Sequence, residues 1–266
     1  ILNFTFMAFG ADGAVFPALT YSFYPVFANL HGVAYETVPL REDFTLDVAG
    51  MQGKGKLTVF PNPNAPTGIA LPLDQVEAIV AANPDHVVVV DEAYVDFGAD
   101  SAVPLLQKYE NLLVVMTYSK SRSMAGARLG FALGSRTLIQ DLEKLKYSTN
   151  PYNVNRLTLK LGQAAVDSDG YFREKAREIM ATREKTAQAL RALGFTLPDS
   201  QANFPFVTHP KVAGETLYRK CKEKGVLIRH FSDPAIAAYN RVTIGTPAEM
   251  EAFLAVVQTI LKEEGA

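Results

Sequence analysis

The chain has 266 residues, 48% hydrophobic and 20% charged, with a formal net charge of −2 and one cysteine. That length supports one large core or two modest ones, and the near-balanced charge offers no electrostatic footprint for nucleic acid or a membrane surface. No apolar run approaches a transmembrane helix and no signal peptide is visible, and the lone Cys221, in a helical stretch, reads as an inert buried thiol of a protein from the reducing cytoplasm.

In chain order, Ile1 to Met7 already carries apolar residues at helical spacing with no capping residue ahead, so the sequence is expected to open in mid-pattern, an upstream segment having been trimmed or lost. Strands are predicted at Ala14–Phe16, Ala34–Pro39, Leu57–Phe60, Val87–Asp91, Leu112–Tyr118 and Leu129–Leu133. Helices are predicted at Tyr21–His31, Leu73–Ala82, Arg136–Lys144 and Val154–Val166. This alternation implies βαβ units and a mainly parallel sheet flanked by helices. A long polar-striped helix from Gly170 to Leu193 follows, stopped by Gly194. The order then changes to strand Asn203–Thr208, helix Gly214–Lys224, strands Val226–His230 and Arg241–Ile244, and helix Ala248–Glu263. Residues 1–167 are therefore expected to form a large α/β domain, and 168–266 a bridging helix with a smaller α+β domain.

The segment richest in chemistry is Val87-Val88-Val89-Val90-Asp91-Glu92-Ala93-Tyr94. Its β-branched run reads as a strand buried on both faces, delivering Asp91 to the carboxyl edge where open α/β sheets bind ligands. Asp91 and Glu92 are neighbours on a strand and point to opposite faces, so they cannot flank one bond as an acid–base pair. Asp91, if buried, needs a donor or cationic partner to stay ionised, and one of the two acids is expected to be structural. The next strand delivers Ser119-Lys120 to the same edge, followed by Arg128. Lys120 sits in a Ser/Gly-rich segment just after a buried strand, which raises a catalytic reading above that of a solvated surface lysine. A carboxylate, a phenol, a lysine and an arginine at one edge suggest an anionic aromatic cofactor.

Gly50-Met51-Gln52-Gly53-Lys54-Gly55-Lys56 comes close to a phosphate loop. Leu57 stands where a magnesium-binding hydroxyl is needed, and the chain continues as a strand rather than a helix, so a basic turn is the better reading. Pro61-Asn62-Pro63-Asn64-Ala65-Pro66-Thr67-Gly68 reads as a proline-rich turn, with a cis peptide expected before Pro66. The aromatics of Tyr21-Ser22-Phe23-Tyr24, taken alone, read as core. His31, His86 and His209 are expected at the surface or as caps, and no His/Cys spacing supports a metal.

Taken in order, TYSFYP, PNPNAPTG, VVVVDEAYVDF, TYSKSRSMAGARLGF, GVLIRHF and NRVTIGTPAEM resemble the fold-type I pyridoxal-phosphate (PLP) aminotransferases, above all the histidinol-phosphate aminotransferases, across essentially the whole chain. The resemblance implies an aspartate aminotransferase-like fold. It implies that Lys120 carries PLP and moves the substrate proton, that Asp91 pairs with the pyridine nitrogen, and that Tyr94 bonds the ring oxygen. Tyr21 would stack on the ring, Asn64 would contact it, and Ser119 and Arg128 would bind the phosphate. Arg241 and Arg229 would hold the substrate's anionic group. Two departures stand out. Ala65 occupies the position before Pro-Thr-Gly where the family places its ring-binding asparagine, which leaves Asn64 as the candidate. The family's Gly-rich loop and a partner-subunit tyrosine come from the region upstream of Ile1, so weaker PLP binding and low or absent activity are expected of the chain as it stands.

The implied reaction passes an amino group from histidinol phosphate to 2-oxoglutarate in a homodimer. The alternatives from the same fold are an aromatic amino-acid aminotransferase and, more remotely, a PLP-dependent decarboxylase of an amino-acid phosphate. From another class stands a cofactor-free remnant that keeps the fold without the chemistry.

Overall fold

A computed structural model describes residues 1–266. After helix α1 (Leu2–Phe9) come β1 (Ala14–Pro17), α2 (Tyr24–Leu30), β2 (Tyr35–Val38), β3 (Leu57–Pro61), α3 (Leu73–Ala81), β4 (Val88–Asp91), β5 (Leu112–Thr117), β6 (Gly130–Gly134), α4 (Arg136–Thr149) and α5 (Arg156–Asp167). The strands form one six-stranded sheet in the order β2-β1-β3-β4-β5-β6, parallel throughout except for β6, which runs antiparallel to β5.

The valine-rich strands lie in this sheet because both of its faces are covered. Val88 and Val90 point to one face with Leu112, Val114, Phe60 and Val15, where Val76, Ile79 and Val80 of α3 pack on them. Val89 points to the other with Leu57, Val59 and Leu113, under Phe6 of α1, Tyr24 and Ala28 of α2, and Leu138 and Leu142 of α4. This period-two division of a continuous apolar run is what a strand between two helical layers requires. Burying each Val or Leu contributes about 1.5–3 kcal/mol.

A 24-residue helix, α6 (Asp169–Ala192), leads out of this layer system. Beyond it β7 (Phe206–Val207), α7 (Gly214–Glu223), β8 (Arg229–His230), β9 (Asn240–Arg241) and α8 (Pro247–Glu263) form a second core of their own, centred on Leu190, Val207, Leu217, Val257 and Ile260. The start of α8 is fixed by a capping box between Thr246 and Glu249, an arrangement that contributes about 1 kcal/mol. Arg183 of α6 fastens the two parts: its Nη1 donates to the carbonyls of Phe97 and Ala202, both at 2.8 Å.

Several boundaries differ from the sequence expectation, most of them by one or two residues. Helix α2 starts at Tyr24 rather than Tyr21, with Pro25 in its first turn, because Tyr21–Phe23 form the turn that enters it. Helix α4 runs on past Lys144 to Thr149. In the small sheet β7, β8 and β9 are only two residues each. Pro205 there has no N–H to give, so pairing continues on one side only, through Val242 N–H to the Pro205 carbonyl (3.0 Å). The Gly-Lys-rich segment is a turn in which Lys54 and Lys56 pair with Glu36. His209 is buried, its ring 4.9 Å from that of Phe195, so of the two expected roles it has the capping one, its Nδ1 accepting the Lys211 N–H at 3.2 Å. Both Asn62–Pro63 and Ala65–Pro66 are cis, where the sequence suggested only the second.

Candidate active site

Because β1, β3, β4 and β5 are parallel, their carboxyl ends open on one edge and bring together Leu19–Tyr21, Asn62–Thr67, Asp91–Tyr94 and Ser119–Lys120. Asp91 is the last residue of β4 and is 7% exposed. Its Oδ2 accepts the Tyr24 phenol at 2.9 Å and its Oδ1 accepts the Ala93 N–H at 3.2 Å. Burial pushes the Asp91 carboxyl above its ordinary range, while the Tyr24 bond, the Ala93 N–H and the Lys120 charge pull it back down. Glu92 faces away and is spent on structure. It accepts Ser101 Oγ at 2.7 Å and the Ala102 N–H at 2.5 Å, holding the loop after Tyr94, and burial raises it to about 7.

Lys120 lies within electrostatic reach of the Asp91 carboxylate. Its Nζ is 5.1 Å from the centroid of the Tyr94 ring, and its charge is felt at Asp91. The backbone around it is pinned on both sides. Thr117 Oγ1 is 3.0 Å from Ser119 Oγ and accepts the Ser119 N–H at 3.1 Å, while Ser121 donates to Asp96 in the turn following Tyr94. Two non-glycine residues of the same loop, Ser123 and Arg128, hold left-handed backbone at φ 52° and 55°, a conformation that collects at functional sites. Arg128 is exposed, with Nη1 on the Ala125 carbonyl at 3.0 Å.

Tyr21 stands edge-on to Tyr24 with ring centroids 5.6 Å apart, and is 41% exposed. Its phenol is raised by burial, then by Asp91 and Tyr94, with Arg128 opposing, so these four groups share one electrostatic neighbourhood. Asn64 Nδ2 donates to the Leu19 carbonyl (3.1 Å) and to Thr67 Oγ1 (3.2 Å), fastening the proline turn to the segment before Tyr21. Asn64 Oδ1 and the neighbouring Thr20 Oγ1 are buried without a partner.

The second part of the molecule closes the constellation. Phe204 packs edge-on against Tyr94 at 5.0 Å, and the Arg241 guanidinium lies over the Phe204 ring at 4.9 Å. Arg241 pairs in register with Phe206 on one side and with Arg229 on the other, so the two arginines project from one face of the small sheet. Burial and the Arg229 charge both push Arg241 down, with Tyr94 opposing. Neither arginine has a carboxylate partner, and Arg241 Nε is buried with no hydrogen bond. Like charges directly opposite on adjacent strands are destabilising, and an orphaned buried donor costs about 1–3 kcal/mol. An anion seated between them removes both penalties.

Of the residues singled out in the sequence, Tyr21, Asn64, Asp91, Tyr94, Ser119, Lys120 and Arg128 lie at the carboxyl edge of the large sheet; Arg241 of the small sheet reaches it through Phe204 and Tyr94, with Arg229 beside Arg241. Sequence reasoning missed Tyr24, Phe204 and Asp96. Tyr24 was read as core, which it also is, and its hydroxyl contact reaches across 67 residues with no local pattern to announce it.

The family described as "Aminotransferase class I and II" matches residues 1–257. A histidinol-phosphate aminotransferase of Brachyspira hyodysenteriae is 46% identical over 98% of this chain and 75% of its own length. Histidinol-phosphate aminotransferase 1 of Bordetella parapertussis is 49% identical over 98% of this chain and 74% of its own. Among solved structures, the histidinol-phosphate aminotransferase of Sinorhizobium meliloti in complex with pyridoxal-5'-phosphate superimposes with a TM-score of 0.87 at 23% identity, covering 98% of this chain and 74% of that one.

Proposed function

Given that the chain belongs to the class I and II aminotransferase family, we propose that it transfers an amino group from histidinol phosphate to 2-oxoglutarate, giving imidazole acetol phosphate and glutamate. The observation that carries the substrate assignment is the carboxylate-free pair Arg229–Arg241, joined through Phe204 and Tyr94 to Lys120. Two guanidinium forks on one face suit a phosphate, and they also suit the carboxylate of the second substrate.

The residues present fit PLP. A buried carboxylate lies at one end of the site, an amine within its electrostatic reach, and a hydroxyl and a guanidinium on the following loop, with an orphaned buried acceptor, Asn64 Oδ1, at the rim. When bound, PLP supplies an electron sink that acidifies the substrate's Cα–H. In our reading Asp91 keeps the ring nitrogen protonated, Tyr94 donates to the ring oxygen, and Tyr21 lies against the ring face. Ser119 and Arg128 hold the phosphate. Asn64 has its amide nitrogen committed and offers the ring only its oxygen. Lys120 Nζ would be the point of attachment; once the substrate amine had displaced it, the freed amine would be placed to take up and give back a proton at the substrate's Cα.

We further assign residues 1–167 to the cofactor domain and 168–266 to the bridging helix and small domain. The protein is read as a cytoplasmic homodimer. The cysteine is buried and alone, no helix is long and apolar enough to cross a membrane, and Leu157 and Leu161, one turn apart on α5, present exposed apolar surface suited to a second copy. Steady-state rates with histidinol phosphate and with phenylalanine as amino donors test the substrate. Preference for histidinol phosphate is expected, and an equal or faster rate with phenylalanine assigns the protein to aromatic amino acids instead.

A further inference from the structure

We infer that Tyr24 is a positioning residue for the cofactor, its phenol holding Asp91 in the ionised, correctly aimed state that PLP requires. The inference rests on the PLP reading above and goes beyond it, because Tyr24 itself never touches the ring-binding face in that assignment.

The geometry is specific. Tyr24 is fully buried at the start of α2, its ring wedged between Phe6, Phe16 and Tyr21 at centroid distances of 6.3, 5.8 and 5.6 Å. That packing leaves the hydroxyl no freedom of direction, and it ends 2.9 Å from Asp91 Oδ2. The phenol is itself pushed well above its ordinary range, first by burial and then by Asp91, so it keeps its proton and is a donor at every working pH. The groups facing Asp91 are the phenols of Tyr24 and Tyr21 from the α2 end and the amine of Lys120 from the loop after β5; the carboxyl of Glu92 faces away and acts on it through charge alone. Among these, Tyr24 alone donates a side-chain hydrogen bond to the carboxylate, and the Ala93 N–H on the other oxygen is longer, at 3.2 Å.

A buried carboxylate that loses its principal donor is left underpaired. It then takes up a proton more readily, and a protonated Asp91 cannot hold the proton of a pyridinium nitrogen. Tyr24 therefore sets the lower pH limit of cofactor affinity without entering the reaction. The spacing of Tyr21 and Tyr24 serves this division of labour: one short turn places the first phenol at the rim and the second behind Asp91.

The test is a PLP titration of the protein and of Tyr24→Phe, read by absorbance over a range of pH, with Lys120→Ala as the control for lysine attachment. Tyr24→Phe keeps the packed ring and removes the hydroxyl alone. The expected result is a Kd for PLP raised about tenfold at neutral pH, with the acid-side loss of affinity moved to higher pH. In an Asp91→Asn background the same substitution should change Kd by less than about twofold, because the charge it served is gone. An equal effect in both backgrounds means that the hydroxyl acts only through packing and overturns the inference. So does an unchanged Kd and pH profile in Tyr24→Phe when the unsubstituted protein binds normally. If the unsubstituted protein gives no band that depends on Lys120, the PLP reading falls and the inference falls with it.

Discussion

Glu92 offers a sharp test of how burial, rather than catalysis, governs one member of an acidic pair. It is 2% exposed, its carboxylate accepts from Ser101 Oγ and the Ala102 N–H, and its pKa stands at about 7 against an ordinary 4.5. Between those two values the unfolded chain gives up the proton while the native state keeps it. The native state then binds more protons, so stability falls as pH rises through this window and levels off above the folded value. The difference amounts to about 3 kcal/mol. Replacement Glu92→Gln keeps the geometry, since an amide oxygen can accept the Ala102 N–H and its NH2 can donate to the Ser101 hydroxyl, but removes the titration. Urea unfolding followed by circular dichroism, at steps from about pH 5 to about pH 8, measures the two proteins side by side. Titrating groups remote from Glu92 are common to both and cancel in the difference, while Asp91 and Asp96, which feel its charge, contribute a smaller remainder. The Gln protein should gain on the unsubstituted one by about 2.5 kcal/mol from the acid to the alkaline end of that range. A difference that stays flat across it would refute the argument, and would mean that Glu92 ionises as freely in the fold as in the unfolded chain.

Two further outcomes follow from the site and the surface. Arg241→Ala removes a half-buried guanidinium from the proposed anion clamp, so kcat/KM for histidinol phosphate should fall about 10- to 100-fold while the PLP absorption band stays as it is; an unchanged KM removes Arg241 from the substrate site. Leu157 and Leu161 lie one turn apart on α5 and are 78% and 57% exposed, so Leu157→Glu with Leu161→Glu should convert a dimer to monomer in sedimentation, and a persisting dimer places the interface elsewhere.

Much of this architecture was legible because the large domain follows period and punctuation closely. Val87–Val90 could only be a strand covered on both faces, and the structure covers it with α3 on one side and α1, α2 and α4 on the other. Parallel strands put their carboxyl ends together, so Asp91 and Lys120 had to meet once both strands were recognised. The small sheet was harder. Pro205 interrupts the pairing of its first strand, and Leu227, which looked like an interior strand residue, is 78% exposed. What the sequence could not carry were contacts with no local signature. The Tyr24 hydroxyl on Asp91 and the placement of Arg241 over Phe204 depend on how whole layers pack. Asn64 shows the converse. With Ala65 at the motif position, the resemblance left Asn64 as the neighbouring candidate for a ring contact, and its amide nitrogen is taken up by Leu19 and Thr67, which leaves only its oxygen.

The central claim is that Lys120, set within electrostatic reach of Asp91 and against the Tyr94 ring, is the cofactor lysine. Titrating the protein with PLP while recording its visible absorption tests it most directly. A saturable band that disappears in Lys120→Ala is the predicted result, and no band, or one that Lys120→Ala leaves intact, contradicts it.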